Sequence, residues 1–279
     1  MSSEIRVWVD GDRVDPAARA VSAIDHGITV GDGVFETAKV VKGAVFALTR
    51  HADRLDRSLA GLGLPPADRS VVEQGISAVL EEPMDHGRLR WTVTTGLGPL
   101  GSDRGDGGYT YIVTSGPMPP PPASGGLVVV PWTRNERAAT AGLKTTSYAD
   151  NVVALAHAKE RGAIEAIFAN TRGELCEGTG SNIFVVLGDQ ILTPPLESGA
   201  LAGVTRALVL QWCREDGLPI RETALPIEVL SEADEVFITS STRDVMAVDR
   251  VDGREVALGP VTKSAAESFA RHSAHSMDP

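Results

Sequence analysis

Lys144 stands in the stretch AGLKTTSYADN, residues 141–151, between a small-residue lead-in and a run of hydroxyls, just ahead of an amphipathic helical pattern. A lysine at the surface is a solvated point charge. A lysine withdrawn from water is a different reagent, because burial disfavours its charged form and leaves a neutral amine that can attack a carbonyl. Glu177 lies in CEGTG, with Gly178 and Gly180 beside it. That setting suits close approach of backbone to a ligand, although a loop glutamate is also an ordinary solvated charge. Other chemistries find no footing. His26, His51, His86, His157, His272 and His275 are scattered without a metal-like grouping, and Cys176 and Cys213 lack metal-ligand spacing. Neither a nucleophile elbow nor a glycine-rich nucleotide loop or Walker sequence occurs.

The elements that would position these residues fall into two lobes. The first, residues 1–116, opens with IRVWVDGDRV, a strand, an Asp-Gly turn and a strand. GVFETAKVVKGAVFAL repeats the pattern with Lys42-Gly43 at the turn. A helix follows from Thr49, where Leu55, Leu59 and Leu62 share a face and Gly61 and Gly63 mark the end. A second helix over residues 69–81 is stopped by Pro83, and GRLRWTVTTG and GYTYIVTSG read as strands. The expected lobe is α+β with a mostly antiparallel sheet. Residues 117–126 are rich in proline, which removes donors and fixes φ, so they read as a semi-rigid connector. The larger α/β lobe, residues 127–270, carries the lysine stretch and a helix near residues 150–161. Strands around EAIFAN and SNIFVV follow, then a helix with Thr205 near its start. Residues 271–279 have no pattern and read as a disordered tail.

Hydrophobic residues make up 42% and charged residues 23% of the 279, a globular composition rather than a disordered one. The formal net charge of −11 excludes a protein that wraps nucleic acid through a domain-wide positive field, while leaving room for a local basic pocket. The first residues turn polar at once, unlike a secretion signal. No apolar run reaches the roughly 18 residues of a membrane span. A cytoplasmic protein is the expectation.

Six motifs in one order, VGDGVFETAK, HADRLDRS, LKTTSYADN, LCEGTGSNIFVV, LAGVTRALVL and VFITSSTRDV, resemble the fold-type IV pyridoxal-phosphate enzymes across residues 8–253. That family includes branched-chain and D-amino acid aminotransferases and aminodeoxychorismate lyases. The resemblance implies a mixed α and β fold of two lobes with pyridoxal 5'-phosphate between them. It makes Lys144 the Schiff-base lysine and general base, and Glu177 the carboxylate that keeps the pyridine nitrogen protonated. Arg54 matches the arginine that grips the cofactor phosphate, as its fork suits, though Arg50, Arg54 and Arg57 would also fit the wet face of a helix. Val204 and Thr205 match phosphate-binding amides and a hydroxyl at a helix start. Ser240 and Ser241 match the second phosphate-binding turn, where such residues can also simply cap helices. Tyr148 falls one residue short of the cofactor-contacting tyrosine of the branched-chain enzymes, so packing is its other role.

The shared machinery does not separate members of the family. Thr37 matches a threonine of the lyases and is implied to assist proton transfer, whereas Glu36 looks like the transaminases. Thr95 stands where D-amino acid aminotransferases carry an arginine. Phe35, Arg90 and Arg243 are candidates to face the substrate, Arg90 by a match in the branched-chain enzymes. The balance of these residues leans to a lyase that eliminates pyruvate from 4-amino-4-deoxychorismate, giving 4-aminobenzoate for folate synthesis. The alternative is a class IV aminotransferase acting on a branched-chain or similar amino acid and a 2-oxo acid. Either substrate is a small carboxylate, and the resemblance implies a homodimer.

Overall fold

Period-two alternation along the first third of the chain produces the strands of one sheet. The structure is a computed structural model and describes residues 4–82 and 84–279, so Pro83, the expected helix stop, lies outside the described residues. Among these the chain divides into two compact units, the first reaching Pro120 and also taking Leu143–Tyr148 and Met277–Pro279. Its elements are β1 (Arg6–Val9), β2 (Asp12–Val14), α1 (His26–Thr29), β3 (Gly33–Val41) and β4 (Ala44–Val45). α2 (Leu48–Gly61), α3 (Arg69–Val79), β5 (His86–Thr94) and β6 (Thr110–Pro117) follow. The six strands run in the order β2-β1-β6-β5-β3-β4, and each neighbouring pair is antiparallel. Lys42 (φ 50°) and Gly43 (φ 78°) form the β3–β4 turn, a left-handed pair that matches the strand twist.

Alternation decides the two faces of this sheet. Val34, Ala38 and Val40 of β3 and Leu89, Trp91 and Val93 of β5 join Leu55 and Leu59 of α2 in one buried cluster. Phe35, Thr37, Lys39, Arg88 and Arg90 project from the opposite face, since successive side chains of a strand point to opposite sides. α2 buries His51, Arg54, Leu55, Ser58 and Leu59, so its inner stripe mixes polar residues with leucines.

The second unit contains β7 (Ser124–Arg134), α4 (Ala149–Glu160), β8 (Glu165–Asn170), β9 (Leu175–Gly178), β10 (Asn182–Leu187) and β11 (Gln190–Thr193). It continues through α5 (Val204–Glu215), β12 (Ile220–Glu222), α6 (Val229–Glu232), β13 (Glu235–Ser240), β14 (Asp244–Val251), β15 (Arg254–Glu255) and α7 (Pro260–Ser273). Its sheet follows β12-β11-β10-β13-β14-β7-β8-β9, with β15 beside β14. β11–β12, β14–β7 and β7–β8 are parallel and the other neighbouring pairs antiparallel, so the sheet is mixed. Along β7, Leu127 enters one buried cluster while Val128 and Val130 enter another with Ala154 and Ala158 of α4. A sheet covered on both faces explains the near-continuous apolar run LVVV.

Three sequence expectations change. β7 begins at Ser124 and β6 ends at Pro117, so only residues 118–123 separate the strands. Gly125 belongs to the strand, opposite Val248 of β14, and Ile164 fills the space a side chain would need there. The lysine stretch, expected in the larger lobe, belongs to the first unit, held by main-chain hydrogen bonds to β3 described below. Residues 271–279 are not a loose tail. α7 continues to Ser273, and Met277–Pro279 hydrogen-bond to the start of α2, which supplies the order their composition lacks.

Candidate active site

Leu143–Tyr148 runs beside β3 as a short extended segment. The Phe35 amide donates to the Lys144 carbonyl (3.0 Å), the Thr146 amide donates to Gly33 (2.8 Å), and Val34 and Thr145 pair as a bridge. From the helix side, the Lys144 amide donates to Ser58 Oγ at 3.1 Å. Leu143 fits against Gly61, where a Cβ would come within 2.5 Å of its Cδ2. Lys144 is thus clamped between β3 and α2. Its Nζ sits 4.3 Å from the centroid of the Phe35 ring and 5.6 Å from that of Tyr148. Tyr148 meets Phe35 edge-on with centroids 5.2 Å apart.

Arg90 completes this cluster. Its guanidinium carbon lies 3.7 Å from the Phe35 centroid, and its backbone is opposite Thr37 in the β3–β5 register. Although the side chain as a whole is exposed, loss of water near the ring lowers its pKa, and the neighbouring Arg88 charge adds to that. Lys144, Phe35, Tyr148, Arg90 and Thr37 therefore come together on one side of the sheet. Thr37 is half-buried there.

Arg54 lies on the other side, and its fork is already engaged. Nε donates to Glu36 Oε1 (2.8 Å) and Nη2 to Glu36 Oε2 (2.6 Å), while His51 Nδ1 donates to Oε2 (2.7 Å). All three side chains are buried. Burial pushes the Glu36 carboxyl up, but the Arg54 charge and hydrogen bonds outweigh it and bring the group down to about 2. Burial lowers His51 further than Glu36 raises it, so its imidazole is held neutral. We assign the ion pair to Glu36 and Arg54, with His51 as a neutral donor.

In the second unit, Glu177 lies in β9 with an ion pair at one oxygen and a hydrogen bond at the other. Arg134 Nε lies 3.4 Å from Oε1, and the Leu201 amide donates to Oε2 at 2.9 Å. Arg134 is itself aimed by Asn151, whose Oδ1 accepts from Nη1 at 2.9 Å, and by the Phe168 ring 4.2 Å away. Leu201 leads directly into Gly203, the N-cap of α5. No side chain caps this helix, and its first turn contains no acid. Val204 and Thr205 are buried in that turn. A Cβ on Gly203 would collide with Asn182 Oδ1, and Asn182 pairs with Thr239 in the β10–β13 register. The start of α5 and the end of β13 therefore converge around Asn182. Ser240 ends β13, and its buried Oγ has no hydrogen-bond partner among the described residues. Ser241 follows in the same turn.

Arg243, a candidate to face the substrate, is partly buried and reaches inward. Its Nη1 is committed to the buried Glu165 at 2.6 Å, and Glu165 also accepts from the amide and hydroxyl of Thr179. The sequence reading missed Glu36 as the partner of Arg54, along with His51, Ser58 and Arg134. His51, Arg54 and Ser58 share the spacing of Leu55 and Leu59, so polar residues on an apolar helical stripe were the available signal.

The family pattern for class IV amino-transferases matches residues 33–251, which takes in every candidate site residue. This chain belongs to the class IV aminotransferase family. Among curated relatives, a D-alanine aminotransferase of Bacillus licheniformis is 34% identical over 93% of this chain and 94% of its own. An aminodeoxychorismate lyase of Bacillus subtilis is 28% identical over 88% of this chain and 86% of its own. The branched-chain aminotransferase of Thermoproteus uzoniensis, solved with norvaline, superposes with a TM-score of 0.86. Its identity is 29%, covering 96% of this chain and 94% of that one. A hypothetical aminotransferase of Mycobacterium tuberculosis, solved with α-ketoglutarate and PMP bound, gives a TM-score of 0.84 at 25% identity, covering 95% and 97%.

Proposed function

We propose that this class IV family enzyme is a pyridoxal 5'-phosphate-dependent aminotransferase that moves an amino group from a branched-chain or similar amino acid to a 2-oxo acid. The observation that carries the reading is Lys144, an amine locked by its backbone to β3 and α2 and set against Phe35 beside Arg90. The residues present fit the cofactor. An uncapped helix start with no acid in its first turn suits a phosphate, and the buried unpartnered Ser240 hydroxyl is a donor in search of an acceptor. A carboxylate fixed at one oxygen by the Leu201 amide and paired at the other with Arg134, Glu177, suits a protonated ring nitrogen.

The cofactor, when bound, supplies an aldehyde for amines and a ring that withdraws electrons from the substrate carbon. Lys144 Nζ would hold the cofactor at its aldehyde and would move the proton at the substrate Cα. Glu177 keeps the ring nitrogen protonated. Arg54 from the first unit and Thr205 and the Ser240–Ser241 turn from the second would hold the phosphate, and Arg90 would receive a substrate carboxylate.

The lean towards a lyase is set aside. It rested on Thr37, whose half-buried place opposite Arg90 suits a transaminase pocket equally. Similarity to aminotransferases of both D-alanine and branched-chain description supports the amino-transfer reading more strongly than the one to the lyase. A homodimer belongs to the same reading, supported by the exposed Ile24, Ile28, Val30, Leu97 and Leu100 of the first unit, and light scattering tests it.

Borohydride treatment of purified protein should lock the cofactor onto a peptide containing Lys144; attachment to another lysine overturns the assignment. L-leucine, D-alanine and 2-oxoglutarate offered in pairs should give ping-pong exchange with one amino donor. Release of pyruvate and 4-aminobenzoate from 4-amino-4-deoxychorismate without any 2-oxo acid, and no exchange, would restore the lyase.

A further inference from the structure

The phosphate-side helix α2 begins badly by its own sequence. Its N-cap, Ala47, is left-handed at φ 55° and ψ 40°, offers no side chain to the first amides, and is followed by a first turn without an acid. A left-handed alanine is unfavourable, because its Cβ crowds the carbonyl oxygen, and uncapped first-turn amides need other acceptors. The missing acceptors come from more than two hundred residues away. The Ala47 amide donates to the Met277 carbonyl at 2.7 Å. Asp278 accepts from the Thr49 amide through Oδ1 (2.9 Å) and from the Thr49 hydroxyl through Oδ2 (2.5 Å). Arg50 Nε donates to the Pro279 oxygen at 2.7 Å. Asp278 thus does what an N-cap aspartate does, supplied by a distant segment, and places a negative charge at the positive end of the helix.

The same helix carries Arg54 one turn further on, and its Ser58 supports the Lys144 amide. We propose that Met277–Pro279 is a strap that fixes the first turn of α2, and that Asp278 is a positioning residue which aims Arg54 at the cofactor phosphate. The inference rests on the reading of Arg54 as a phosphate ligand. It adds that the aim of Arg54 is set from two ends, by Glu36 across the helix and by Asp278 along it.

The test uses the full-length protein stripped of cofactor and titrated with pyridoxal 5'-phosphate and, separately, with pyridoxal. Asp278→Ala should weaken binding of the phosphorylated form by about three- to tenfold, as loss of a helix cap would, and leave pyridoxal unchanged. Asp278→Asn, which keeps an acceptor for the Thr49 amide, should recover most of the loss. In an Arg54→Ala background, Asp278→Ala should add nothing. Equal weakening of both ligands would mean general loosening and overturn the positioning role. Loss with Arg54→Ala but none with Asp278→Ala would overturn the strap alone, whereas no loss with Arg54→Ala would overturn the phosphate reading beneath it.

Discussion

Glu36 and Arg54 are 18 residues apart, on a strand and a helix, yet the carboxylate occupies two donors of the guanidinium and a third from His51. An ion pair withdrawn from water is costly to half-remove, since the surviving charge keeps its desolvation penalty without its partner. Glu36→Gln should therefore lower the free energy of unfolding by roughly 3 kcal/mol or more, measured by denaturant titration of the cofactor-free protein. A change under about 1 kcal/mol, the range of exposed pairs, would mean that water already screens the pair. The family resemblance pointed to Lys144, Glu177 and Arg54, where residue types alone would have allowed ordinary surface charges. The partners that orient them were not legible. Nothing in the spacing of Glu36 and Arg54 says that a strand will carry one to the other, and Arg134 reaches Glu177 only after β7 and β9 have been placed in one sheet.

Elements were more readable than their assignments. The helix expected near residues 150–161 is α4 at Ala149–Glu160, and the two expected hairpins are β1–β2 and β3–β4. Apolar spacing and turn residues carry that information locally. The pairing of Leu143–Tyr148 with β3 depends on main-chain hydrogen bonds between distant segments, which no local pattern records. The start of α5 shows how narrow such a junction is. Gly203 has an ordinary φ of −64°, so its glycine is needed for space rather than conformation. Asn182 cannot readily give way, because its Nδ2 donates to the Leu201 carbonyl at 2.9 Å and the side chain is buried. Gly203→Ala should displace the first turn of α5 and weaken retention of pyridoxal 5'-phosphate by tenfold or more, the scale of one charge-assisted hydrogen bond. Equilibrium titration checks this, and unchanged affinity would show that Asn182 swings aside at little cost.

For the molecule as a whole, acid should act first through the buried core of the first unit. The folded Glu36 carboxyl is depressed from 4.5 to about 2, so its contribution is complete above about pH 4.5 and disappears as pH falls towards 2. His51 is lowered from 6.5, so protonation favours the unfolded chain once pH drops below that value. Both slopes have the same sign. Stability should decline gently below pH 6.5 and steeply below 4.5, and His51→Gln should remove the first phase while sparing the second; thermal unfolding across pH 3–8 separates them. The route of the chain has a different consequence, for synthesis. The first unit's sheet is complete at Pro117, but its lysine segment arrives only at Leu143–Tyr148 and its strap at Met277–Pro279. At the roughly 5–20 residues per second of a ribosome, α2 waits on the order of ten seconds for the residues that cap it. A nascent chain released after Pro120 would hold a sheet without its amine, so neither unit corresponds to a contiguous stretch of gene.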